Sequence, residues 1–252
     1  MSATTVEATK RTERILSRSC GREVLAVRWG HFGTPVLLFP TAGGDAEECE
    51  RFKMLAVLRP LVEGGRIKVY SCDSVGGKAL TERRDHPVGH YSRMQNLFDR
   101  FVAEEFVPWI REDCATPDIG VVAAGASIGA FNAVAAVCRH PDLFSKAIGM
   151  SGTYDVSKWL EPEDIDREFY YTSPVHFLHN LSEGPLLRSI RERFVLLATG
   201  EGAYEDPEDS RRMARVLEAN GIPHRFDSWG KDYRHDWTTW REMLPKYLGE
   251  MA

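Results

Sequence analysis

Five short apolar runs, most of them followed by a stretch of helical period, constrain this chain more than any other feature. They are "VLLF" (36–39), "IKVYSC" (67–72), "IGVVAA" (119–124), "KAIGMSG" (146–152) and "RFVLLATG" (193–200). A strand apolar at nearly every position, rather than at every second one, is covered on both faces. Helical spacing appears in "AEECERFKMLAVLRPLVEGG" (46–65), with Pro60 bending or shortening its last turn. It appears again in "SRMQNLFDRFVAEEFVPWIRED" (92–113), with Pro108 as a kink, in 207–221 and in 237–251. Alternation of this kind predicts an α/β fold with a mainly parallel sheet and helices on both sides.

Two opening strands, "RILSRS" (14–19) and "REVLAVRW" (22–29), are joined by a short turn and predict an antiparallel edge. "HRFDSWG" (224–230) is a last strand. Between 153 and 193 the period breaks down into an aromatic, acidic and irregular stretch. That stretch is expected to be a cap-like insertion in a single domain spanning 1–252.

Composition narrows the functional classes. The 252 residues carry a formal net charge of -5, which supplies no basic face for nucleic acid. "KRTER" (10–14) and "ERRD" (82–85) are short and mixed in sign, as solvated surface is. No run approaches the ~20 apolar residues of a membrane span, and "MSATTVEATKRTERIL" lacks the apolar core of an export signal. Cys20, Cys49, Cys72, Cys114 and Cys138 are odd in number and contain no CxxC pair, so neither a disulfide frame nor a zinc site is expected. Reduced thiols and a cytoplasmic location follow as expectations. Neither a metal nor an organic cofactor is expected, and a homo-oligomer is permitted without being required.

Within "VVAAGASIGAFNAVAAVCRH" (121–140) a buried run ends in Gly125-Ala126-Ser127-Ile128-Gly129 and a helical pattern starts at once. Strand, Gly-x-Ser-x-Gly, then helix is the pattern of a nucleophile elbow. The turn is tight enough that side chains at 125 and 129 would collide, and the serine is left exposed above the sheet at a helix N-terminus. The plain alternative is a small-residue turn in which Ser127 only caps the helix.

A serine hydroxyl needs a base, and the base needs an acid to orient it. In the chain order that goes with such an elbow the acid comes next and the histidine last. His140 ends the helix leaving the elbow, His176 and His179 lie in the cap, and His224 opens the last strand at the wrong end of the sheet. His235, in "GKDYRHDWTTW", lies in the loop after the last strand and is the candidate base. The acid belongs to "GEGAYEDPEDS", where Glu201, Glu205 and Asp206 compete. Pro207 is a favoured first helical residue, which makes Asp206 the expected N-cap, with Asp209 as the partner in a capping box. Glu205 is therefore the expected acid and Asp206 its alternative. An oxyanion needs two N–H donors. Ile128 is one candidate. The other lies in "FPTAGGDAEE", at Thr41 or alternatively Ala42.

Taken with "PVLLFPTAGG", "GASIGAFNAVAAVCRHPDLF", "MSGTYDV", "LLATGEGAYEDPEDS" and "HDWTTWREMLPKYL", these features resemble the esterase family of α/β-hydrolases. S-formylglutathione hydrolases, feruloyl esterases and mycolyltransferases are among its members. The resemblance implies a sheet of about eight strands and a triad of Ser127, Glu205 and His235, with oxyanion donors at Thr41 and Ile128. This chain has Phe39-Pro40 where many relatives have His-Gly, and its acid loop departs from the commoner Gly-x-x-Asp. The implied activity is cofactor-free cleavage of a small-molecule carboxylic ester through an acyl-enzyme. Acyl transfer by the same triad, and a noncatalytic binding role on the same fold, are the alternatives. Trp159, Phe169, Tyr170, Tyr171 and Phe177 of the cap are expected either to line an acyl pocket or to anchor the cap.

Overall fold

A computed structural model describes residues 9–251. The part of the N-terminal stretch at 1–8 lies outside the described residues. Eight strands form one sheet in the order β1-β2-β4-β3-β5-β6-β7-β8. They are β1 (Arg11–Ser17), β2 (Arg22–Trp29), β3 (Thr34–Phe39), β4 (Ile67–Cys72), β5 (Val121–Ala126), β6 (Phe144–Met150), β7 (Phe194–Thr199) and β8 (His224–Ser228). β1 pairs antiparallel with β2, and β2 with β4; every other pairing is parallel. The expected antiparallel edge is present. Its first strand starts three residues earlier than periodicity indicates, because Arg11 already pairs with Arg28.

The apolar runs are buried on both sides, and the two-residue strand period divides them between two cores. Leu37, Phe39, Val121, Ala123, Val195 and Leu197 face one core with Phe98, Phe106 and Met213 close by. Val36, Leu38, Val122, Ala124, Leu196 and Ala198 face the other, with Met54, Leu58, Trp240 and Leu244.

The predicted helix at 46–65 is two helices, α1 (Glu48–Arg51) and α2 (Met54–Glu63). Lys53 breaks it by turning left-handed at φ 63. Phe52, at the break, stacks on Trp237 with ring centroids 4.9 Å apart. Pro60 is accommodated inside α2. α3 (Val75–Thr81) has no counterpart in the sequence reading. Its Gly76 and Gly77 permit close packing, since a β-carbon at 77 would lie 2.9 Å from the Ala42 carbonyl oxygen.

The helix at 92–113 is α4 (His90–Phe101), a π-helical turn (Val102–Phe106) and α5 (Val107–Asp113). The wide turn stands directly before Pro108, which has no N–H to continue a regular ladder. From the same turn Glu105 takes hydrogen bonds from Ser17 Oγ and from the N–H groups of Arg18 and Ser19, closing the β1–β2 hairpin.

α6 (Ile128–Arg139) follows β5 and is buried along nearly its whole length. Beyond β6, short turns replace long elements. Val156–Trp159 and Pro162–Asp164 are 3-10 turns, followed by α7 (Arg167–Thr172), α8 (Pro174–Phe177), a 3-10 turn at Leu178–Asn180 and α9 (Pro185–Arg191). Pro162, Pro174 and Pro185 each stand at the start of one of these elements, where a missing N–H costs nothing. This segment is tied to α3–α4: Gly89 N–H donates to Asp164 Oδ1 at 2.6 Å and Arg83 Nε to the Trp159 carbonyl at 2.7 Å. α10 (Pro207–Ala219) and α11 (Trp237–Met251) complete the chain. No helix of the described residues is long and apolar enough to cross a membrane, and all five cysteines are free thiols.

Candidate active site

Six parallel strands end on one edge of the sheet, and the loops leaving that edge carry every candidate residue. Ser127 directly follows β5, Thr41 lies two residues beyond β3, Glu205 six beyond β7 and His235 seven beyond β8.

Ser127 adopts φ 56, ψ -121, a region that non-glycine residues avoid at a cost of about 1–3 kcal/mol. Its N–H is held by the Met150 carbonyl at 3.0 Å, and its own carbonyl accepts from Ala130 and Phe131. The bend depends on missing side chains. A β-carbon at Gly125 would fall 2.3 Å from the Gly129 carbonyl, and one at Gly129 would fall 2.5 Å from the Phe39 oxygen. Ser127 occupies the N-cap position of α6, but its hydroxyl makes no cap bond, nor any hydrogen bond among the described residues. It is half-buried with its hydroxyl unengaged, so it does not serve as a side-chain cap of α6.

The loops after β7 and β8 are joined along their backbones. Glu201 N–H donates to the Gly230 carbonyl at 2.9 Å, Gly202 N–H to Tyr233 at 2.8 Å and His235 N–H to Ala203 at 3.0 Å. Gly200 and Gly202 allow this approach, since a β-carbon at 200 would sit 2.0 Å from the Tyr233 oxygen. Asp236 then caps α11 by accepting from the N–H groups of Thr238 and Thr239, which anchors the residue after His235. Burial alone would raise the Asp236 carboxyl. Those two amides and Arg234 outweigh it and hold the group below its ordinary range.

The joined loops place His235 Nδ1 3.5 Å from Glu205 Oε2, whose side chain is 1% exposed. Glu205 also accepts from Ser151 Oγ at 2.5 Å, Gly200 N–H at 3.3 Å and Thr199 Oγ1 at 3.4 Å. The imidazole meets the Trp240 ring edge-on, with centroids 5.2 Å apart. Ser127 Oγ and His235 are not hydrogen-bonded to one another.

The competing acids point elsewhere. Asp206 is 57% exposed at its side chain and pairs with Lys158 at 3.0 Å. It stands at the N-cap of α10 but makes no cap bond. Glu201 accepts from Ser228 Oγ. The expected capping box is not formed, because Asp209 turns inward and accepts from the N–H groups of Tyr154 and Asp155 at 3.0 and 3.2 Å. Burial raises the Asp209 carboxyl above its ordinary value, although Lys158 and the two amides work against the rise.

On the oxyanion side, Ile128 is the first residue of α6, so no helical carbonyl claims its N–H. The Thr41 N–H is instead donated to Glu48 Oε2 at 2.8 Å, and the Thr41 hydroxyl to Glu48 Oε1 at 2.6 Å. Glu48 is 5% exposed and reaches back from the start of α1. The Ala42 N–H, one residue on, makes no hydrogen bond among the described residues.

Phe169 and Phe177, in the segment between β6 and β7, are buried. Tyr170 and Tyr171 line a cleft of about 480 Å³ together with Cys138, Arg139 and Leu186. That cleft opens at the far end of α6, roughly 16 Å from Ser127 by helical rise. Ser151, Trp240 and Glu48 escaped the sequence reading. The only signal was a polar residue at a strand end for Ser151, and an acid just past a glycine loop for Glu48. Among the described residues no three His, Cys, Asp or Glu side chains are grouped to hold a metal ion.

An eight-stranded, mostly parallel sheet with this strand order, and a serine on a strained bend at its carboxyl edge, define an α/β-hydrolase. Within that class the chain belongs to the family described as "Putative esterase", whose model matches residues 63–251. Solved structures agree on the fold. A ferulic acid esterase is similar with a TM-score of 0.74 at 16% identity, over 95% of each chain. An S-formylglutathione hydrolase from Agrobacterium tumefaciens is similar with a TM-score of 0.72 at 13% identity, over 96% of this chain and 93% of that one. MPT51 of Mycobacterium tuberculosis is similar with a TM-score of 0.70 at 18% identity, over 96% and 97%. No curated protein matches the sequence significantly.

Proposed function

We propose that the protein is a serine esterase that cleaves carboxylic esters of small molecules through an acyl-enzyme. Ser127 Oγ attacks the ester carbonyl carbon while His235 Nε2 takes its proton. Glu205 accepts the His235 Nδ1–H, fixing the tautomer and stabilising the imidazolium. The tetrahedral oxyanion is met by the Ile128 N–H at the start of α6. The Ala42 N–H is the second donor, since the Thr41 N–H is given to Glu48. His235 returns the proton to the departing alcohol, and water then repeats the sequence to release the acid.

The observation that carries this reading is the Ser127 backbone, strained at φ 56 with an unengaged hydroxyl, on the sheet edge that also carries the Glu205–His235 pair. The family match, and the likeness of the fold to a ferulic acid esterase and an S-formylglutathione hydrolase, support ester hydrolysis. The free thiols support a reducing, cytoplasmic setting.

Ser127→Ala is expected to lower turnover of a short p-nitrophenyl ester by about 10⁴-fold or more while leaving the circular dichroism unchanged. A fluorophosphonate probe should label the native protein and not the variant. Undiminished turnover in Ser127→Ala refutes the assignment.

A further inference from the structure

Ser151 directly follows β6, the strand between the one that carries Ser127 and the one that leads to Glu205. Its φ is 45, in the left-handed region where glycine is the unstrained choice. Its N–H is pinned to the Ala198 carbonyl at 2.7 Å, so the conformation is imposed by the sheet edge. A serine kept at such a position carries a strain that its side chain must offset.

The residue is 3% exposed and its hydroxyl is engaged on both sides. Its hydroxyl donates to Glu205 Oε1 at 2.5 Å and accepts from the Trp240 indole N–H at 3.0 Å. This is the shortest contact that Glu205 makes; Gly200, Thr199 and His235 all stand at 3.3 Å or more. Glutamate has one more rotatable bond than aspartate, so its carboxylate needs more restraint to hold one face toward an imidazole. Trp240, 4% exposed, restrains both partners at once. Its N–H aims the serine hydroxyl, and its ring meets the His235 imidazole edge-on at 5.2 Å.

We propose that Ser151, oriented by Trp240, is a positioning residue that fixes the Glu205 carboxylate for its work on His235. The proposal rests on Glu205 being the acid of the triad. Ser151 touches no substrate and transfers no proton. It acts by holding a buried charge in one rotamer, in the manner of the outer hydrogen bonds that fix catalytic constellations.

Ser151→Gly tests it, because glycine suits φ 45 and removes only the hydroxyl. Loss of a hydrogen bond to a buried charged group predicts a kcat on a p-nitrophenyl ester roughly tenfold to thirtyfold lower, with KM within about twofold of native. Ser151→Ala should fall equally, and Trp240→Phe, which keeps an aromatic ring beside His235, should fall less. A purely structural serine predicts the opposite for Ser151→Gly, namely native or better activity in a relaxed backbone. Glu205→Gln is measured alongside. If Glu205→Gln is crippled while Ser151→Gly and Ser151→Ala turn over like native protein, or lose only KM, the positioning role is wrong and the triad stands. If Glu205→Gln itself turns over normally, the underlying acid assignment fails first.

Discussion

At position 129 a β-carbon would fall 2.5 Å from the Phe39 oxygen and 2.8 Å from that of Pro40, both backbone atoms that cannot rotate away. Gly129→Ala must therefore push α6 from β3. Overpacking of this kind costs about 1–3 kcal/mol. The expected outcome is a Tm lower by about 2–12 °C, together with reduced turnover of a p-nitrophenyl ester, read by calorimetry and a spectrophotometric assay. Both glycines of the elbow were legible in the sequence because their reason is local: a sharp bend excludes side chains near it. Ser127 and His235 were legible for a related reason, their position at strand ends in a fixed chain order. Thr41 was not. Its N–H is taken by a carboxylate seven residues on, and nothing in the local pattern says that Glu48 folds back. Nor did the sequence separate the surroundings of Glu205 from those of Asp206. One is buried beside His235, and the other stands at the surface with Lys158.

At the scale of elements, the strands buried on both faces were the easiest to read, β2 and β4 to the residue. Helical period marked α4 through α5 but not the π turn inside it, since a change of one residue per turn barely disturbs apolar spacing. The cap segment resisted reading because its short turns are held by distant partners. Asp209 of α10 shows how: its buried carboxylate accepts the Tyr154 and Asp155 N–H groups and a contact from Lys158 at 3.4 Å. Asp209→Ala leaves two buried donors unmatched, at about 1–3 kcal/mol for each group. The expected result is a lower Tm together with faster limited proteolysis within 153–193. Unchanged cleavage there means that Asp209 does not secure the segment.

Over the whole molecule, several carboxylates are tuned in one direction. Burial alone would raise Asp113, but hydrogen bonds from Lys68 and Tyr70, with Arg28 nearby, hold it below the usual range. Asp155 is lowered against its own burial by Ser157 and Arg212, and Glu105 by Ser19, Ser17 and Arg18. A depressed folded pKa means that the unfolded chain takes up protons first as pH falls. These groups therefore contribute their full stability above the unfolded carboxyl values near ~4 and lose it below, as pH passes through the folded values. Asp209, raised, works the other way and partly offsets the loss. Urea midpoints should accordingly hold between about pH 7 and 5 and drop below about pH 4. Asp113→Asn, less stable at neutral pH, should show a shallower drop. The sheet's class and its antiparallel edge were readable at this scale from alternation alone. The order that places β3 between β4 and β5 was not, because it is set by crossovers that leave no periodic trace.

The backbone bonds joining the loops after β7 and β8 carry a consequence for anyone rebuilding this protein. Glu205 and His235 hang from a common seam, so they can be transplanted or redesigned only as a pair. Lengthening either loop by a residue is expected to break the register of that seam, and replacing the segment after β6 removes the contacts that Tyr154, Asp155 and Lys158 make to Asp206 and Asp209 beside it. Insertions are therefore hardest to tolerate within the seam itself.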